Sequence, residues 1–109
     1  MCYADALALY RGLDDRLGQA EVLNNLGDSY AVSDPTQARA HHEQALEIAR
    51  SISAILEEAR ALEGIGNCEI HQTKPGDDDG YLRRALGLYR QIGSPHAARV
   101  SETLRFHDL

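Results

Sequence analysis

A step of 39 residues runs through the chain and constrains its fold more than any other feature. Ala20, Ala59 and Ala98 stand 39 apart, as do Leu26, Ile65 and Leu104, while Leu23 is matched by Leu62 and Gly27 by Gly66. A second set keeps nearly the same step. Ala6-Leu7, Ala45-Leu46 and Ala85-Leu86 are spaced 39 and then 40, followed at constant offsets by Leu9, Ile48, Leu88 and by Arg11, Arg50, Arg90. The additional residue falls in the loop around Lys74-Pro75-Gly76. Two segment types alternating in fixed register make a repeat of two elements, and a period of this size is the mark of a stacked repeat architecture.

Both segment types are helical. In Gln19 to Val32 the small and apolar residues Ala20, Leu23, Leu26, Gly27, Tyr30 and Ala31 recur at steps of three, four and one, a single stripe on a helix of about 3.6 residues per turn. Thr36 to Ile52 does the same with Ala38, His42, Ala45, Leu46, Ile48, Ala49 and Ile52. Asp34-Pro35 before it supplies an N-cap followed by proline at the first helical position. Pro95 after Gly93-Ser94 ends one helix and opens another, and Lys74-Pro75-Gly76-Asp77 is a turn. The predicted helices are 3–13, 17–32, 36–52, 54–71, 79–92 and 95–106, with no strand. The expected fold is all-α, one domain over 1–109, with an orphan helix 3–13, helix pairs 17–52 and 54–92, and a terminal helix 95–106. Gly27, Gly66, Ala20, Ala59, Ala38 and Ala45 let neighbouring helix axes approach to the near end of the usual range of about 8–10 Å. Large residues at those positions should clash.

Leu23-x-x-Leu26-Gly27-x-x-Tyr30 followed by Ala38-x-x-x-His42-x-x-Ala45 resembles the tetratricopeptide pattern. The resemblance implies a right-handed solenoid of antiparallel helix hairpins. The second repeat keeps Leu62-x-x-Ile65-Gly66 but has Glu69 where the tyrosine stood, and Asp78-x-x-x-Leu82-x-x-Ala85 replaces the first small residue with an acid. The third keeps only Ala98 and Leu104, as an end cap would. The long step and phrases such as His42-Glu43-Gln44-Ala45-Leu46-Glu47-Ile48-Ala49-Arg50 are similar to the C-terminal tetratricopeptide arrays of actinobacterial antibiotic-regulatory transcription factors. In this resemblance the first helix of each pair lines a concave groove. Carried onto this chain, that surface is Glu21, Asn24, Asp28, Arg60, Glu63, Asn67 and His71. Asn24 and Asn67 would bond a peptide backbone and Arg60 an acidic group, while Glu21, Asp28 and Glu63 favour a mixed or basic peptide over a C-terminal carboxylate.

Composition excludes several other classes. Seventeen acids against eleven bases give a net charge of −6, the wrong sign for direct binding to phosphate backbones. No apolar run approaches a membrane span and the first residues lack a signal pattern, so a cytoplasmic location is expected. Cys2 and Cys68 read as reduced thiols. Adjacent His41 and His42 diverge by about 100° on a helix and cannot chelate together. Asp77-Asp78-Asp79-Gly80 resembles part of a calcium loop, but Pro75 stands at the first ligand position and Leu86, not a glutamate, lies six after Gly80. Cys68 and His71 share a helix face, but no third group orients them, and Cys68 reads as a small core filler. No metal, cofactor or catalytic set is expected. The expected function is a non-catalytic protein-interaction module for a peptide or partner domain. The alternatives are an effector-sensing domain of a transcription regulator and an oligomerisation scaffold. The apolar face of helix 3–13, with Leu7, Leu9 and Tyr10, is the expected surface for homo-oligomers.

Overall fold

The computed structural model describes residues 15–72 and 80–106, and these form five helices. They are α1 (Arg16–Tyr30), α2 (Pro35–Ser51), α3 (Ile55–Gln72), α4 (Tyr81–Gln91) and α5 (His96–Phe106). There is no strand among the described residues. The expected helix 3–13, with Leu7, Leu9 and Tyr10, lies outside them, as does the Asp77-Asp78-Asp79 run. The boundaries follow local chemistry. The Asp15 side chain accepts a hydrogen bond from the Gly18 N–H at 2.8 Å, and the Asp34 carboxylate accepts from the Gln37 N–H at 3.2 Å with Pro35 at the first helical position. Each cap satisfies a backbone donor that the first turn of a helix leaves unpaired.

The same turn is used twice to leave the second helix of a pair. After α2 the Ala54 N–H donates to the Ala49 carbonyl at 2.9 Å, and after α4 the Ser94 N–H donates to Tyr89 at 2.8 Å, the six-to-one bond of a Schellman cap. The residue that must turn left-handed is Ser53 in the first instance, with φ 56°, and Gly93 in the second, with φ 67°.

Each helix packs on the next in sequence, and α1 also touches α3. The stripe read from the sequence faces the core, with Leu26, Tyr30, Leu46 and Ile48 on it only half-buried. His42, Ala45 and Ala49 on α2 are buried, and so are Leu82, Ala85 and Tyr89 on α4, forty residues later in the same register. Ala20 and Ala59 are fully buried. Leu62, Leu82, Tyr89, Val100 and Leu104 form the larger apolar cluster, and Leu23, Ala45 and Ala61 a smaller one.

The repeated glycines are sockets. A methyl group on Gly27 would overlap the His42 ring, and one on Gly66 would lie 2.7 Å from Leu82 Cγ and 3.2 Å from the Leu82 backbone nitrogen. Gly64, outside the repeat pattern, also faces His42, so the imidazole is gripped from α1 and α3 together. α5 departs from this plan. Ser101 and Arg105 stand where the first two pairs have Leu23 or Leu62 and Gly27 or Gly66, and Ala98 is exposed where Ala20 and Ala59 are buried. A polar face in that register suits a capping helix.

Candidate functional site

The first helices of the pairs present one face to a cleft of about 620 Å³. Asp28 of α1 forms one wall, Leu56, Glu57, Arg60, Glu63, Gly64 and Asn67 of α3 form the floor, and His96 and Arg99 of α5 form the other wall. Helical spacing explains the floor: positions 56, 60, 63 and 67 are separated by three or four residues and therefore lie along one face of α3.

At the α1 end the polar groups close a ring. The Asn24 amide donates to the Glu57 carboxylate at 3.0 Å and to the Glu57 carbonyl at 3.1 Å. The Asn24 carbonyl lies 2.8 Å from His42 Nδ1, a geometry that makes Nδ1–H the donor. His42 Nε2 lies 3.5 Å from Asp28, Arg60 reaches the other Asp28 oxygen at 3.4 Å, and Arg60 returns to Glu57 at 3.0 Å and to the Asn25 carbonyl at 2.9 Å. Burial works to raise the Asp28 pKa, but the hydrogen bond and charge of His42 and the Arg60 guanidinium outweigh it, and the carboxyl is held below its ordinary 3.8.

At the α5 end Glu63 is the centre. It takes two bonds from Arg99, both at 2.8 Å, and one from the Tyr89 hydroxyl at 2.8 Å. Arg99 also lies 2.9 Å from His96 Nδ1, and the His96 ring meets Tyr89 edge-on with centroids 5.4 Å apart. Burial and then the Glu63 charge push the Tyr89 phenol well above its ordinary range. The hydrogen bonds that Arg99 donates to Glu63 raise its pKa further and keep it firmly charged.

Four of the seven expected groove residues, Asp28, Arg60, Glu63 and Asn67, line this cleft. Asn24 does not face a ligand: it is fully buried, and both ends of its amide are used between α1, α2 and α3. Glu21 is exposed on α1 but is not part of the cleft lining. The His71 side chain lies outside the described residues. Arg60 is already held by Glu57, Asn25 and Asp28, which removes it as an open clamp for an acid.

Sequence reasoning missed Glu57, His96 and Arg99. Arg99 was within reach, since it stands 39 residues after Arg60, in the register already traced by Ala59 and Ala98. Glu57 carries no such signal, because its counterpart one period earlier is Gly18. On the opposite side of the helices Arg39 bonds Glu43 at 2.8 Å and also pairs with Glu69, which fills the expected tyrosine position and is itself buried. Cys68 is buried and burial raises its thiol pKa, which leaves it unreactive. Among the described residues no group of three His, Cys, Asp or Glu could hold a metal ion, and no helix is long and apolar enough to cross a membrane.

Residues 1–51 match the family described as tetratricopeptide repeat, a stretch that includes all of α1 and α2. No curated protein and no solved structure matches the chain. The match covers just under half of the chain, and the five described helices, with the glycine socket used in both pairs, are consistent with a tetratricopeptide-like helical fold. Such repeats are non-catalytic modules that generally mediate protein–protein interaction.

Proposed function

We propose that this chain is a protein-interaction module that takes an extended segment of a partner protein in the cleft across α1, α3 and α5. The observation that carries this reading is that three helices from separate repeats converge on one face around an open cleft of mostly polar and charged side chains, while most of their apolar residues are buried in packing. Polar groups pre-set by buried partners are what a recognition surface needs, because little side-chain freedom remains to be lost on binding. In this reading the helix pairs form a short right-handed solenoid, and helix 3–13 with Leu7, Leu9 and Tyr10 contributes a self-association surface. In the same reading the module is part of a bacterial regulatory protein in the cytoplasm, a reading that rests on the resemblance of the long repeat step to the arrays of actinobacterial regulators. Selection of a displayed random-peptide library on the chain tests the cleft. Peptides should be recovered whose binding is abolished by Asn67→Trp, which fills the floor of the cleft from a position with no side-chain hydrogen bond among the described residues. Peptides that bind Asn67→Trp as well as the natural chain would remove the cleft from consideration.

A further inference from the structure

The cleft's polar groups are unequally occupied, and the inequality says what a partner must bring. Arg99 has all three guanidinium nitrogens engaged by Glu63 and His96, and Arg60 is held by Glu57, Asn25 and Asp28. Glu63 already accepts three bonds. Asp28 is the exception. Its side chain is 65% exposed, and its two oxygens have only long contacts, 3.5 Å to His42 and 3.4 Å to Arg60. Asn67 lines the floor one helical turn from Glu63 and has no partner among the described residues. What is open to an incoming segment is therefore mainly acceptor capacity around a carboxylate, in a chain of net charge −6.

His42 is the second observation. Its packing role is filled in the other helix pair by Leu82, which seats against Gly66 as His42 seats against Gly27. An aliphatic side chain satisfies the socket, so the imidazole adds something beyond packing. It passes between α1 and α3 from the core side, bonds Asn24, and ends at the carboxylate that the cleft exposes. With Nδ1–H donated to Asn24, the neutral ring turns an Nε2 lone pair toward Asp28, whereas the protonated ring turns a donor and a positive charge toward it. The other charged or titratable groups around it are Glu57 and Arg60 of α3, reached through Asn24 and Asp28, and His41 on its own helix. Burial, and then the charge of His42, lower the His41 pKa below its ordinary 6.5.

We propose that the cleft receives a cationic side chain of a partner segment at Asp28, and that His42 competes for the same carboxylate from beneath, so that binding weakens as the medium becomes acid. Arg60 can release its long contact to Asp28 and stay paired with Glu57 and Asn25. Lysine and arginine keep their charge over the range in which imidazoles titrate, so the proton dependence belongs to the receptor. The inference rests on the cleft being the partner site.

The test is fluorescence anisotropy at low ionic strength with three labelled peptides of one length, alternating alanine with lysine, with glutamine or with glutamate. The lysine peptide should bind best. Asp28→Asn should weaken it about fivefold, the upper range for an ion pair open to solvent. Its affinity should fall by a similar factor, about fivefold, from about pH 8 to about pH 5, and His42→Gln, which does not titrate, should abolish that fall. His42→Leu, which copies Leu82, gives the same test with a different shape should the glutamine variant fold poorly. If the glutamine or glutamate peptide binds as well as the lysine peptide and Asn67→Trp removes it, the cationic inference fails and the cleft stands. If the lysine peptide binds with a pH profile unchanged in both His42 variants, the competition by His42 is refuted. If no peptide of the three binds, the cationic inference fails and the cleft is left to the library selection; if a peptide binds and Asn67→Trp has no effect on it, the reading of the cleft fails as well.

Discussion

In the first helix pair the glycine socket of α1 receives the imidazole of His42, and in the second the socket of α3 receives the isobutyl group of Leu82. Both side chains are buried, His42 at 2% exposure and Leu82 at 0%, and both stand at the same register of the second helix. Leu82 gains its stabilisation from apolar burial and contact, worth about 2 kcal/mol for a full side chain. His42 buries a polar ring, which costs free energy unless its nitrogens are satisfied, and the satisfaction comes from Asn24 and the neighbourhood of Asp28. The geometry of the repeat therefore demands a group of a certain size and leaves its chemistry free. The first pair spends that freedom on a polar link between core and cleft.

Loss of the apolar knob should have the largest effect. Leu82→Ala leaves a hole in the main cluster and should cost about 3 kcal/mol in denaturant unfolding; a loss below about 1 kcal/mol would show that the second pair is not held there. Next comes the polar knob's partner. Asn24→Ala should cost about 1–3 kcal/mol by stranding the His42 Nδ1–H and Glu57, whereas Asn24→Leu combined with His42→Leu should cost clearly less than the sum of the single changes. Additive costs would mean that the ring of hydrogen bonds is not a unit. The two kinds of helical glycine should then behave oppositely. Gly64→Ala drives a methyl into the gripped imidazole and should destabilise by about 1–3 kcal/mol, less the helix-propensity gain of about 1 kcal/mol. Gly87→Ala, with nothing within 4 Å of the new methyl, should raise the melting temperature.

The turn after each pair offers a smaller comparison. Ser53 holds a left-handed conformation that Gly93 adopts freely, so Ser53→Gly should stabilise by up to about 1 kcal/mol, and Gly93→Ser should lose a similar amount. The smallest expected effect is a pH dependence. The folded-state pKa of Asp28 lies below the ordinary 3.8, so its ionised form contributes stability above that value, and the contribution is lost as pH falls through the lower, folded-state value. Solvent exposure keeps this contribution small. Asp28→Asn should flatten that part of the acid-denaturation curve slightly, and an unchanged curve would show that the pairing with His42 and Arg60 is energetically silent.

The residue period by itself determined where the described helices lie, which stripe each one buries and where the glycine sockets fall, because helix periodicity and close packing are local properties of a repeated pattern. Asp34-Pro35 marks its helix start for the same reason: a cap acts within one turn. Four of the nine residues that line the cleft, Asp28, Arg60, Glu63 and Asn67, were also legible, through the tetratricopeptide resemblance, which implies that the first helix of each pair lines a groove. Only the tertiary structure decided the rest. Asn24 follows Leu23 by one residue, about 100° around the helix, and whether that flank meets water or a neighbour depends on how α1 and α3 stack. The contact buries it and ties it to Glu57. Gly64 and Glu57 owe their roles to the same stacking, and Arg99 owes its role to the packing of α5 beside α4 with Tyr89 between them and Glu63. A single period records the interior of each helix pair. The angle at which one pair lies against the next is set by all the contacts between them, and that angle determines which polar groups meet.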